Sequence, residues 1–117
     1  MPSKKQYDVV LNALGDPTRR VIFEKLGAGP LSVAHIAEGM NVTRPAVSQH
    51  LKVLKEAKLI SMEQQGTRSI YRIDQEGLIV LRNFLDRFWG EALQNLKRVA
   101  EELEKKEKNK TPHNGSN

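Results

Sequence analysis

The segment Val42–Leu54, VTRPAVSQHLKVL, carries side chains suited to hydrogen bonding with a polyanion rather than to making or breaking bonds. Turned at about 100° per residue, one side holds Pro45, Ser48, Gln49 and Lys52, with Glu56 one turn on. Gln49 offers a donor and an acceptor side by side, the pattern that matches an adenine edge, while Arg44 and the lysines suit guanine or phosphate. Ser48 can donate to phosphate, and Lys52 and Lys55 lie further along, where flanking backbone would run. Neither Ser48 nor Gln49 has a packing reason for its type. Arg68, beside Gly66, is a further cation placed to enter a neighbouring groove or clamp a phosphate.

Other chemistries are poorly served. The chain has no cysteine, which excludes disulfides, thiol redox sensing and thiolate metal sites, and fits a reducing cytosol. His35, His50 and His113 form no pair at i,i+3 or i,i+4 spacing, so no metal site is expected. No nucleophile–base pair or pair of acids stands in a cleft-forming context, so neither an enzyme nor a cofactor is expected. Gly27-Ala28-Gly29 precedes a proline rather than a phosphate-binding helix and is not a nucleotide loop. No apolar run reaches the roughly 18 residues needed to span a bilayer, and MPSKKQYDVV lacks a signal-peptide core. A cytoplasmic protein is expected.

The charge supports the opening reading. The 117 residues have a formal net charge of +5. Residues 43–58 hold Arg44, Lys52, Lys55 and Lys58 against Glu56 alone, which is +3 of that total. A solvated basic face is the ordinary explanation; a footprint for a polyanion is the sharper one.

The elements that would position these groups follow from periodicity and caps. Behind the polar face, Val47, Leu51 and Leu54 stack along the opposite side of the same helix. Thr43 is a good N-cap, and Pro45 is early enough to forfeit no intrahelical hydrogen bond. Upstream, QYDVVLNAL predicts a helix over residues 6–14, ended by Gly15. Asp16 caps the next, with Pro17 in its first turn and Val21, Ile22 and Leu26 inward. Ser32 caps a short third helix, VAHIAEGM, and residues 41–43 join it tightly to the fourth.

After Leu59 the period changes to two. ISMEQ and SIYRI flank QGTR, with Ile60 and Met62 alternating on one strand and Tyr71 and Ile73 on the other. Gly66 supplies the positive φ of the hairpin tip. A two-stranded hairpin cannot stand alone and must lean on the helices. From about Glu76 to Lys108 the helical period returns through Leu78, Leu81, Leu85, Phe88, Ala92, Leu96, Val99 and Leu103. At 1.5 Å per residue this helix would run roughly 45–50 Å, beyond the ~30 Å width of so small a domain. Such a stripe needs a partner, and a second copy is the simplest. Leu85, Phe88, Trp89, Ala92, Leu96 and Val99 are the expected contacts. Glu101–Lys105 and Glu102–Lys106 read as i,i+4 pairs on a solvated face.

The fold class is mostly α with a small β-hairpin wing: a winged helix-turn-helix with a long C-terminal dimerisation helix. One domain is expected over residues 1–108, with its DNA-reading unit at about 17–75, the long helix at about 76–108 and a disordered tail at 109–117. A helix fits the major groove of duplex DNA, which gives the polar face a partner.

The ordered set LGDPTRRVIFEKL, LSVAHIA, TRPAVSQHLKVLKEAKLI and GTRSIYRI resembles the ArsR/SmtB family of bacterial winged-helix repressors over about residues 6–75. DPTRR, PAVSQHL and the late FW pair look most like the branch without the usual metal sites. The resemblance implies Ser48, Gln49 and His50 at the DNA, Thr43 and Arg44 at the start of the reading helix, and Arg68 in the wing. It also implies a homodimer through the terminal helices, which adds Tyr7, Val10 and Leu11 to the interface. Metal-sensing members carry cysteines in the third helix where this chain has Ser32-Val33-Ala34-His35-Ile36-Ala37, and its last helix holds no histidine. Where the family commonly has glycine between reading helix and wing, this chain has Lys58, at up to ~1 kcal/mol or with a differently shaped helix end.

The reading is therefore a homodimeric, sequence-specific repressor of transcription on an inverted-repeat operator, its inducer unknown. Two alternatives stay open: a metal-responsive repressor with a carboxylate site, and a winged-helix module for protein or RNA. Arg19 and Arg20 are open between phosphate contact and an internal salt bridge.

Overall fold

A computed structural model describes residues 2–110, with side chains for residues 2–108. Its elements run α1 (Lys4–Ala13), α2 (Pro17–Gly27), β1 (Leu31–Ser32), α3 (Val33–Ala37), α4 (Arg44–Glu56), β2 (Ile60–Gln65), β3 (Arg68–Ile73) and α5 (Gln75–Lys110). Residues 109 and 110, expected in a disordered tail, belong to α5, and the rest of that expected tail, with His113, lies outside the described residues.

The helices begin where side chains satisfy their first N–H groups. Ser3 opens α1 with a capping box: its hydroxyl accepts from the Gln6 N–H, and Gln6 Oε1 accepts from the Ser3 N–H at 2.8 Å. Asp16, Ser32 and Thr43 cap α2, α3 and α4 by accepting from the N–H groups of Arg19, His35 and Ala46. Helix α3 stops at Ala37, three residues short of the sequence expectation, so six residues rather than three link it to α4. Gly39, at φ 75°, makes the bend. The Lys25 ammonium, reaching over from α2, donates to the carbonyls of Ile36 and Glu38 and holds this short helix end.

The chain divides into two units, Met1–Asn83 and Phe84–Asn117. In the first, Ile22, Leu26, Ile36, Val47, Leu51, Leu54, Leu59 and Ile60 form the buried centre. Val21, expected inward, is 43% exposed, because Ile22 and Leu26 already define the inner line of α2. Tyr7 and Val10, expected in the dimer interface, are buried in the chain's own core, and Leu11 beside them is half-buried. Apolar area used inside the chain is not left for a partner, so on α1 the exposed apolar side chain is Val9.

The wing contains one strand more than the hairpin expected from sequence. The sheet order is β1-β3-β2, all antiparallel, with Leu31 opposite Tyr71 and Ser32 opposite Ile70. A two-residue strand shows no alternation to read, so β1 is set by tertiary pairing alone. Gln65 faces Arg68 across the Gly66-Thr67 tip, and Gly66 has φ 63°. Ile60 is buried, but Met62 is exposed, so β2 is covered only at its start, while β3 is half-buried from Ser69 to Ile73. Beyond it, the Arg72 guanidinium meets the Glu63 carboxylate at 2.8 Å, and the Ser69 hydroxyl donates to Gln64.

In the second unit α5 alone is described. Leu85, Phe88, Trp89, Leu93, Leu96, Val99 and Leu103 are exposed, Trp89 at 62% and Leu96 at 64%, and Ala92 is half-buried. The rings of Phe84 and Phe88 stack at 6.3 Å between centroids.

Candidate nucleic-acid interface

Helix α4 is fixed by one face and open on the other. Val47, Leu51 and Leu54 have no exposed surface. Arg44, Pro45, Ser48, Gln49, Lys52 and Lys55 are all exposed, and Thr43 at the cap is exposed as well. The Thr43 hydroxyl accepts from the Ala46 N–H at 3.2 Å, leaving the first turn of α4 in water with no acidic side chain beside it. A helix start of this kind carries partial positive charge and suits a phosphate. Arg68 is exposed at the first residue of β3, beside the wing tip.

His50 is placed differently from the others. Its side chain is 23% exposed and turns toward the start of α2, where Nδ1 lies 3.4 Å from Arg19 Nη1 and 3.9 Å from Asp16 Oδ2. The backbone hydrogen bond from Arg19 holds the Asp16 carboxyl below the ordinary aspartate range. His35 belongs to the Ser32 cap: its Nδ1 is 3.0 Å from the Ser32 hydroxyl. Among the described residues no three His, Asp or Glu side chains gather as a metal would need.

The two arginines of DPTRR have structural work that their type alone does not reveal. Arg19 Nε donates to the Ala13 carbonyl at 2.7 Å, and Arg20 Nη1 donates to the Leu14 carbonyl at 3.0 Å. Both thereby cap the end of α1 with positive charge. The signal was the spacing: the last carbonyls of α1 lie two or three residues before the α2 cap, so side chains in the first turn of α2 reach back to them.

The end of α4 carries a second feature. The Leu59 N–H donates to the Leu54 carbonyl and the Lys58 N–H to that of Lys55, a Schellman motif with Leu54 and Leu59 both fully buried. Lys58 sits at its left-handed position with φ 64°. The shape expected of glycine is thus kept by a lysine, with the strain that follows.

A capped helix presenting a basic polar face, preceded by a short helix and followed by the hairpin of a three-stranded wing, defines a winged helix-turn-helix module. A helix-turn-helix domain family model matches residues 14–63. The chain is 50% identical over 93 residues to the HTH-type transcriptional regulator Rv2034 of Mycobacterium tuberculosis, covering 80% of this chain and 87% of that one. It is 34% identical over 82 residues to the transcriptional repressor SdpR of Bacillus subtilis, covering 67% and 91%. The solution structure of the homodimeric winged helix-turn-helix DNA-binding domain of Mb0332 from Mycobacterium bovis, "a possible ArsR-family transcriptional regulator", superposes with a TM-score of 0.61 at 28% identity. It covers 78% of this chain and 84% of that one. The chain belongs to the ArsR-type family of winged helix-turn-helix transcriptional regulators, and it is not an enzyme. No helix among the described residues is long and apolar enough to cross a membrane.

Proposed function

We propose that this chain is a homodimeric repressor of transcription that binds an inverted-repeat DNA operator, with α4 in the major groove of each half-site. One observation carries the reading: Val47, Leu51 and Leu54 bury one face of α4 completely, while Arg44, Ser48, Gln49, Lys52 and Lys55 stand exposed on the rest. Gln49 and Ser48 read base edges or donate to phosphate at the helix centre. Arg44 and the start of α4 meet the backbone on one flank, and Lys52 and Lys55 meet it on the other. Arg68 reaches the adjacent minor groove or its phosphates from the wing.

The dimer is supported by the exposed stripe from Leu85 to Leu103, which a second copy of α5 would cover, and by the homodimeric state of the Mb0332 domain. The repressor assignment draws on the SdpR likeness. Selecting bound duplexes from random-sequence DNA tests the whole reading. An inverted repeat with half-site centres about 34 Å apart, or a multiple of that, is expected. Recovery of unrelated sequences, or of a single asymmetric site, would overturn it.

A further inference from the structure

We propose that Arg19 is a positioning residue for DNA binding: it holds His50 as the Nε2–H tautomer and so makes it a hydrogen-bond donor at the edge of the recognition surface. The inference rests on the reading of α4 as the helix that meets DNA.

The argument starts from what each atom can do. Arg19 Nη1 lies 3.4 Å from His50 Nδ1, and a guanidinium has only N–H donors, so Nδ1 must be the acceptor. Asp16 Oδ2, 3.9 Å from the same nitrogen, pulls the other way, since a carboxylate would draw the proton onto Nδ1. Three features favour Arg19. It is closer by half an ångström. The Asp16 oxygen already accepts from the Arg19 backbone N–H at 2.9 Å. The guanidinium cannot swing aside, because its Nε donates to the Ala13 carbonyl at 2.7 Å. A proton on Nδ1 would set two N–H groups against each other across 3.4 Å. The neutral imidazole therefore carries its proton on Nε2.

The choice of tautomer decides what His50 offers to a phosphate. Phosphate oxygens near neutral pH mainly accept, so an Nε2–H binds them and a bare Nε2 lone pair is repelled. The single Asp16-Arg19-His50 cluster thus links the end of α1 and the start of α2 to the DNA-facing helix. Sequence spacing does not show it, because Arg19 and His50 are 31 positions apart.

Nitrogen-15 NMR of the imidazole groups in the full chain, assigned with His50→Gln, tests the first half. Neutral His50 should show an unprotonated Nδ1 and a protonated Nε2, and Arg19→Met should shift it toward a mixture. A wild-type spectrum with the proton on Nδ1 overturns the inference, and it does so whether or not the variant folds well.

The second half is a thermodynamic cycle on the duplex recovered by selection. Arg19→Met and His50→Ala should each weaken binding by roughly five- to tenfold, the loss of one hydrogen bond per half-site. The double variant should be no weaker than His50→Ala alone. Losses that multiply would show Arg19 acting independently and overturn the positioning role. Wild-type protein that binds no duplex would overturn the DNA reading and this role together; the Nδ1–H spectrum with binding intact overturns this role alone.

Discussion

The Gly77 N–H donates to the Lys58 carbonyl at 2.8 Å, and a side chain on Gly77 would collide with that same oxygen. The first turn of α5 therefore lies directly on the Schellman loop that ends α4. The Asp74 N–H adds a second tie, to the Leu59 carbonyl at 2.9 Å, and the Asp74 carboxylate accepts from the Glu76 N–H. Glycine at 77 and a left-handed residue at 58 are two halves of one junction.

Opposite effects are expected at its two sides. Gly77→Ala should destabilise the fold by about 1–3 kcal/mol, since the atoms in the way are backbone and cannot yield cheaply. Lys58→Gly should stabilise it by about 0.5–1 kcal/mol, because the exposed side chain is removed without disturbing any packing and the φ of 64° becomes easy. Urea unfolding midpoints of the two variants against wild type check both signs.

At the DNA, Gln49→Ala should lose about 1–3 kcal/mol and relax the preference at one base pair per half-site. Lys52→Ala should weaken all sequences alike. It should also lower the slope of log K against log salt by roughly 0.9 for each phosphate no longer neutralised, twice that for a dimer. Fluorescence anisotropy on matched and mismatched duplexes at several salt concentrations separates the two roles; identical behaviour would refute the assignment.

The α5 stripe should hold two copies together. Sedimentation of the full chain at micromolar concentration should show a dimer. Removing residues 92–117 should give monomer or insoluble protein and abolish tight operator binding, because one half-site alone supplies only part of the energy. A soluble full-length monomer would refute the dimer.

The Asp16 cap should make stability sensitive to acid. Its carboxyl is held below the ordinary aspartate range mainly by the Arg19 backbone N–H, so over the window between the two pKa values the unfolded chain binds more protons than the folded one. Its contribution is complete above the unfolded value, near pH 4, and fades as pH falls through the lower folded value. Asp16→Asn should keep much of the cap and remove this part of the acid slope. Unfolding midpoints measured from about pH 6 down to 2.5 would reveal it.

Particular residues show where local chemistry stops and long-range packing takes over. Asp16, Ser32 and Thr43 announce helix starts because a cap acts over three residues, and Val47, Leu51 and Leu54 announce a buried face because the helical period is local. Gly66 marks the wing tip for the same reason, and the basic polar face of α4 is visible as the remainder. The helices, the hairpin of the wing and the polar basic face of α4 were legible in the order of the residues. The rest came from tertiary packing. Val80 and Gly77, not Leu78, became the buried side of the first turns of α5, because the end of α4 came to rest there. Arg19 met His50, β1 joined the wing, and Tyr7 and Val10 went into the core. Each depends on groups outside one another's helical or strand period meeting in space, and short-range periodicity carries no record of such meetings.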